Sequence, residues 1–550
     1  MKSLIKKLHL FACFALTLHT GLTTAQLNIE QPAMGHRIIE QSQHSCTAHE
    51  LYDALDAETN RNITQLKSEG KLIFNAGKVL LPQTFEWPLT YETNFLGNDY
   101  FFIQNYVDHD TTTGSISEFM CGTRSYDLAS GYDHQGTDIC IGPYWWNMMD
   151  DMKVRIIAAA PGQIIGKADG NFDRNCGFGA GAANSITIQH ADGTRALYLH
   201  MKNGSVTTKV VGDYVETGEF LGYVGSSGSS TNPHLHFEVR NAANQFIDPW
   251  AGPCNDDITS SLWNNQKPYP NSGIMSILTM SAVPTVPACP NPETVPLTNH
   301  FEPGDPMRIE IHLRDLMPGT SFELNIFDPN NVIIDNATVQ IANFLAGGFY
   351  FTTPNISNNA IQGTYRVEVT YQGKRAAHYY TVGCPAAYNL SGSIGGFQGY
   401  LSGSNITSTQ SISGSGGNNI WYEAETYIEA KTGFRAKAGC HFRARIDNCS
   451  NNGIRQIDEL NANPMLSLQA HPTITATTTK LKVSTNKNSK LNLVVFDLTG
   501  RQIKPVITNQ NLPDGVHEFE LNTTDMAPGI YICTAVVDAL KTTCKIIVQR

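Results

Sequence analysis

The stretch Thr231-Asn232-Pro233-His234-Leu235-His236-Phe237-Glu238-Val239-Arg240 has the two-residue period of a strand. His234, His236, Glu238 and Arg240 share one face, and Leu235, Phe237 and Val239 the other. The apolar face needs a core. The polar face places two imidazoles, two residues apart, over a cleft. Ser226-Ser227-Gly228-Ser229-Ser230 and Pro233 supply the turn that starts the strand.

Two further stretches answer it. In Tyr132-Asp133-His134-Gln135-Gly136-Thr137-Asp138, a His and an Asp stand four apart. A helix would put them on one face, but Gly136 and the β-branched Thr137 and Ile139 favour a turn into a strand. Ala196-Leu197-Tyr198-Leu199-His200 also alternates, with Ala196, Tyr198 and His200 on one face. Two His and one Asp form a ligand set for a catalytic zinc, which keeps one position for water.

These motifs, in this order, resemble the lysostaphin/LytM-type zinc metallopeptidases that cut peptidoglycan cross-bridges. The pattern is His-x-x-x-Asp, a lone His after Tyr-x, then His-x-His. Ala158 to Ile165 and Val215 to Gly225 are similar to the family's connecting strands, so the likeness covers about residues 125–250. The resemblance implies His134, Asp138 and His236 as ligands of one zinc ion per catalytic domain. It implies His200 and His234 as catalytic histidines that do not bind the metal directly. The segment Ile139 to Asp151, with Trp145 and Trp146, is longer than the family's and is expected to be a cleft-side loop.

A chain of 550 residues holds several domains, and a net charge of −11 disfavours nucleic acid as a partner. Lys2, Lys6 and Lys7, the mostly apolar run Leu8 to Leu22 and Thr23-Thr24-Ala25 read as a signal peptide over 1–25. No other run approaches membrane-spanning length, so no stable membrane span is expected. Of 12 Cys, Cys13 leaves with the signal. In an oxidising compartment the expected disulfides are Cys289–Cys384, Cys440–Cys449 and Cys533–Cys544.

The fold class expected is mainly β: an antiparallel-sheet lysostaphin-type catalytic domain, then β-sandwich modules, with a short helical N-terminal segment. Residues 26–75 carry the helical period through Leu51, Leu55, Ile63 and Leu66, as a cleft-masking propeptide or a docking helix. Residues 76–262 form the peptidase domain. Within it Val107-Asp108-His109-Asp110 reads as a solvated turn and His190 as structural. Seven prolines make 263–298 a linker. Residues 299–383 read as an immunoglobulin-like sandwich. Residues 384–470 are a Gly/Ser-rich β-module resembling stacked modules of exported Bacteroidetes proteins. Residues 476–550 resemble the C-terminal sorting domain of the type IX secretion system, which makes that machinery a partner.

The function expected is an exported zinc metalloendopeptidase, secreted or held at the outer cell surface via the periplasm. It would hydrolyse peptidoglycan cross-links through a zinc-activated water. His200 and His234 would hydrogen-bond that water or the developing oxyanion. Glu238 is either an orienter of a ligand imidazole or a partner of Arg240, and Tyr198 either lines the cleft or packs in the core. The rival readings are a protease of Gly-rich protein such as elastin, a non-catalytic wall-binding scaffold, and a glycan-binding adhesin.

Overall fold

The computed structural model describes residues 48–549 except 74–82, 93–94, 96, 129–130, 179–180, 395–396, 414–417, 438–439, 447–455, 458–465, 472–473, 486–488, 498–500, 514 and 538–539. The signal peptide and Cys449 lie outside the described residues. The chain is mainly β. Among the described residues no helix is long and apolar enough to cross a membrane.

One helix, α1 (Ala48–Ser68), precedes a seven-stranded sheet. In chain order its strands are β1 (Phe101–Asn105), β2 (Thr137–Ile141), β3 (Gly162–Ala168), β4 (Ser185–Gln189), β5 (Arg195–Leu199), β6 (Tyr214–Val215) and β7 (His234–Arg240). Their spatial order is β6-β3-β4-β5-β7-β2-β1, antiparallel at every step. The alternation of the Thr231–Arg240 stretch sets the central strand. Leu235, Phe237 and Val239 are fully buried in a core with Ile139, Ile188, Tyr198 and Trp263. Burying each such side chain is worth about 1.5–3 kcal/mol.

Helix α1 docks through Ile63 and Leu66 on Ile165 of β3, and Asn62 Nδ2 donates to the Ile165 carbonyl at 2.9 Å. It packs on the sheet, and none of its residues lines the cleft over the site. A second helix, α2 (Trp145–Asp150), takes the place of the cleft-side loop expected after Asp138. Trp146 and Met149 are buried in the core, and Trp145 packs on Phe102 with ring centroids 6.0 Å apart. Apolar side chains this large favour burial over lining a solvated cleft.

The Pro-rich stretch 263–298 is not wholly irregular. It contains β8 (Gly273–Met280), which pairs with β9 (Arg308–Leu316). With β10 (Ser321–Phe327), β11 (Ile333–Gln340), β12 (Leu345–Thr352), β13 (Gly363–Tyr371) and β14 (Lys374–Val382) it forms two facing sheets. Their inner faces bury Ile309, Ile311, Phe322, Leu324, Val367 and Tyr380. His378 lies in this sandwich, fully buried. Its Nε2 meets Thr279 Oγ1 at 2.8 Å, and that hydroxyl donates onward to the Thr298 carbonyl at 2.6 Å. Burial pushes the imidazole down to about 3. Between pH 6.5 and 3 the unfolded chain therefore takes up a proton that the folded chain refuses. Stability is expected to fall by about 2 kcal/mol between pH 6.5 and 5. Urea unfolding at the two pH values should show a smaller fall in His378→Gln.

Residues 387–446 depart from a sandwich. Ala387–Leu390, Asn405–Ser408 and Tyr427–Ala430 stack in parallel, as do Phe397–Ser402, Asn418–Ala424 and Cys440–Ile446. The short pieces Ser393–Ile394, Ser411–Ile412 and Arg435–Ala436 complete a three-sided parallel solenoid. Ile406, Ile412, Ile420 and Tyr422 fill its interior. Among the described residues, Gly392 and Gly433, both at positive φ, turn the chain between its strands. Residues 466–548 form a last pair of sheets around Leu481, Val483, Leu493, Val495 and Ala535.

The disulfides differ from expectation. Cys121 pairs with Cys254 and Cys176 with Cys289, across 133 and 113 residues. Cys384 is also disulfide-bonded, but not to Cys289. Cys440 is free, which rules out its pairing with Cys449. Cys533 and Cys544 face each other across paired strands as free thiols. Cys289 finds its partner 113 residues away in the catalytic domain, an encounter set by long-range folding and not by chain spacing.

Candidate active site

The register of β7 builds the site. His236 lies directly opposite Asp138 on β2 and opposite Leu199 on β5. His134 precedes β2, its backbone N–H donating to the Tyr126 carbonyl at 3.1 Å. Gly136 lets this turn approach β7. A Cβ there would sit 2.6 Å from His236 Nε2 and 2.9 Å from the Phe237 carbonyl oxygen.

His200 reaches the cleft by a break in the pattern. Tyr198 pairs with Phe237 and is fully buried, accepting the Ala159 N–H at 2.8 Å, so the tyrosine is a core residue. Strict alternation would bury His200 on that same face. Its backbone is instead left-handed, with φ 66°, and the strand ends at Leu199. The ring then lies 4.6 Å from His234 and 5.9 Å from His236, centroid to centroid. Backbone strain of this kind is common where a side chain must be aimed.

Hydrogen-bond partners that can only accept fix the imidazole tautomers. His134 Nδ1 donates to the Tyr106 carbonyl at 2.7 Å, leaving Nε2 with its lone pair. His200 Nδ1 donates to the Ser227 carbonyl, and His234 Nδ1 to the Asn232 carbonyl, both at 2.7 Å. His236 faces a carboxylate on each nitrogen, Asp138 at 2.9 Å on Nδ1 and Glu238 at 3.4 Å on Nε2. Burial would lower this imidazole, but the two carboxylates outweigh it and push it up to about 9. The two inward nitrogens, His134 Nε2 and His236 Nδ1, are 3.2 Å apart. Asp138 lies 3.1 Å from the first and 2.9 Å from the second. The three groups thus converge on one point, all buried and all within 4.8 Å. With the Nδ1 proton displaced, two nitrogens and one carboxylate oxygen suit zinc. The ligand residues present therefore fit that metal.

Burial would raise the Asp138 carboxyl, but the neighbouring His134 and His234 outweigh it and hold the group well below the usual carboxylate range. Asn105 Nδ2 donates to its Oδ2 at 2.9 Å. Burial, with His234 and His236 nearby, pushes His200 well below an ordinary imidazole and keeps it neutral.

An outer layer supports the ligands. Glu238 plays both roles left open, bonding His236 on one oxygen and Arg240 Nε at 2.5 Å on the other. Helix α1 joins this layer, a contribution with no motif to announce it. Tyr52 Oη lies 3.3 Å from His236 Nε2, and Asp56 accepts from Arg240 Nη1 at 2.7 Å. Groups that orient a ligand imidazole typically contribute 10–100-fold to metal affinity. Glu238→Gln is expected to weaken zinc binding about tenfold. Competition with a chromophoric chelator measures this, and unchanged affinity would show that Glu238 serves only Arg240.

Other candidates fall outside the site. His190 is buried, its Nδ1 donating to the Pro161 carbonyl at 2.8 Å. The 107–110 turn is not simply solvated. Asp108 is buried and caps two backbone N–H groups, while His109 pairs with buried Asp248 at 2.9 Å.

A cluster of side chains that could hold a metal, on an antiparallel sheet and beside two further imidazoles, points to a metallopeptidase-type domain. Residues 134–249 match Peptidase family M23, and residues 476–549 match the secretion system C-terminal sorting domain. The chain thus carries an M23 domain of the LytM/lysostaphin type and a type IX sorting domain, which marks it for export. That family is zinc-dependent. The chain is 45% identical over 60 residues to DD-carboxypeptidase/endopeptidase Mpg of Neisseria meningitidis serogroup B, covering 11% of this chain and 13% of that protein. It is 44% identical over 59 residues to lysostaphin of Staphylococcus staphylolyticus, covering 10% and 12%. The catalytic domain of lysostaphin from Staphylococcus simulans aligns at 27% identity and a TM-score of 0.17, over 23% of this chain and 83% of that one. The matches to Mpg and lysostaphin therefore span about an eighth of those relatives.

Proposed function

We propose that this chain is an exported zinc endopeptidase that hydrolyses peptide cross-links of bacterial peptidoglycan. The observation that carries the reading is the convergence of His134 Nε2, His236 Nδ1 and Asp138 within 4.8 Å of one another, beside two further imidazoles. Zinc held there would lower the pKa of a water and polarise the scissile carbonyl. His134, Asp138 and His236 are its ligands. His200 and His234 bind and orient the attacking water and the developing oxyanion. His200, neutral and with its Nε2 unprotonated, is able to accept a proton. Wall peptide is the substrate favoured by the relatives, Mpg being a DD-carboxypeptidase/endopeptidase by name. The sorting domain supports delivery across the periplasm, through the type IX machinery, to the outer surface or medium. Residues 76–262 constitute the catalytic domain, 299–383 with strand β8 (Gly273–Met280) the sandwich, and 476–550 the sorting domain.

Metal analysis and peptide release from purified peptidoglycan test this. The mature protein should contain one zinc per chain and release peptide, and His236→Ala should do neither. Zinc without release from peptidoglycan, but with cleavage of elastin, would overturn the substrate.

A further inference from the structure

The cleft over the metal cluster has a volume of about 690 Å³, and the catalytic domain does not enclose it alone. Met317, Phe344, Leu345 and Ala346, all from the β-sandwich, share its lining with His200, His234 and His236. Tyr126, Leu128 and Phe178 contribute apolar surface from the catalytic side.

This wall is fixed to the catalytic sheet. Gly347 of β12 packs so closely on β1 that a Cβ would lie 2.8 Å from the Phe102 ring. Phe102, Cys140, Met275 and Ala346 form one buried cluster shared by the two units. Asp99 and Asn98 donate their N–H groups to the Met275 carbonyl at 2.9 and 2.8 Å. Arg124 pairs with Asp315 at 2.7 Å, both side chains nearly fully buried. Arg314 pairs with Asp99, and Tyr144 donates to Glu310 at 2.5 Å. The Met317 N–H donates to Tyr371 Oη at 3.0 Å, and Arg124 lies 5.4 Å from the Phe344 ring. A surface held by this many buried contacts is a standing part of the cleft.

From this we propose that the β-sandwich selects the substrate: Phe344 and Met317 form a subsite for an apolar side chain next to the scissile bond. The proposal rests on the peptidase reading and not on the wall substrate, whose cross-links carry no side chain of that size; a subsite that passes the test below favours a protein substrate for the same site. The occupant is the peptide itself, because the wall is continuous with the metal cluster in one cleft. Phe344 is 42% exposed, which leaves apolar surface for such a side chain to cover. A glycine there would cover nothing. Burial of one leucine- or phenylalanine-sized side chain favours the apolar peptide by about 10–100-fold.

The test uses the full mature chain loaded with zinc and a quenched peptide series differing only in Gly, Ala, Leu or Phe on either side of one bond. The expected kcat/KM rises about 10–100-fold from Gly to Leu or Phe at one position. In Phe344→Ser and in Phe344→Ser/Met317→Ser that ratio should fall toward one. Phe344 is exposed enough for its substitution to preserve the fold, which thermal melting checks. Fluorescence anisotropy with the same peptides on His200→Ala reads the preference without turnover. A ratio near one in the unsubstituted chain, or an unchanged ratio in the double variant, would overturn the subsite. Preferential binding without any hydrolysis would instead remove the peptidase reading and leave the subsite standing.

Discussion

Asp138→Ala is expected to abolish zinc binding and hydrolysis together, whereas His200→Ala should keep the zinc and lose about 100–1,000-fold in turnover. Asp138 is the proposed ligand to which both other proposed ligand atoms are tied, at 3.1 and 2.9 Å. Without it, two imidazole nitrogens 3.2 Å apart have no carboxylate to balance a dication. His200 stands one ring away, and its single strong bond runs to the Ser227 carbonyl, away from the ligands. Its loss removes a hydrogen bond to the reacting groups and spares the coordination. Metal content of the purified variants and single-turnover rates separate the cases. A zinc-free His200→Ala protein would make His200 a ligand and refute this division of labour.

Arg124→Met should destabilise the chain by about 3–5 kcal/mol, the typical cost of stranding one member of a buried ion pair. Its partner Asp315 is 4% exposed and holds one other bond, from the Asn271 N–H at 2.6 Å. Adding Asp315→Asn to Arg124→Met removes the stranded charge and is expected to recover most of the loss. Urea unfolding with both variants checks this. A cost below about 1 kcal/mol, as for a surface pair, would show that water reaches Asp315. Arg124 joins the two units beside the cleft, so the single variant should also loosen the sandwich wall.

How far the chain could be read in advance depended on the range of the interaction. The proposed ligand set of His134, Asp138 and His236 was legible through the family resemblance, while strand period placed only Asp138 and His236 on strands. His234 and His236 alternate with Leu235 and Phe237, and Thr137 and Ile139 flank Asp138 on a strand. Turn-rich Gly/Ser sequence between 390 and 419 was ambiguous, since the same residues serve linkers and solenoid corners. Strand β8 was hidden in the stretch 263–298, where the prolines on either side of Gly273–Met280 carry a breaker signal and only pairing with β9 reveals the strand.

By itself the sequence determined which side chains go to the core and which to the cleft along β7, because strand geometry sends successive residues to opposite faces. It also determined the chemistry available there, two imidazoles and a carboxylate. Only the tertiary structure decided that His200 leaves its alternating face, since a left-handed residue at a strand end is stabilised by the packing around it. Only it decided that Cys176 meets Cys289, that Tyr52 of α1 backs a ligand, and that Phe344 faces the metal cluster's cleft. Each of these joins residues roughly 110 or more apart in the chain. Such encounters are set by how layers stack, which no local period records.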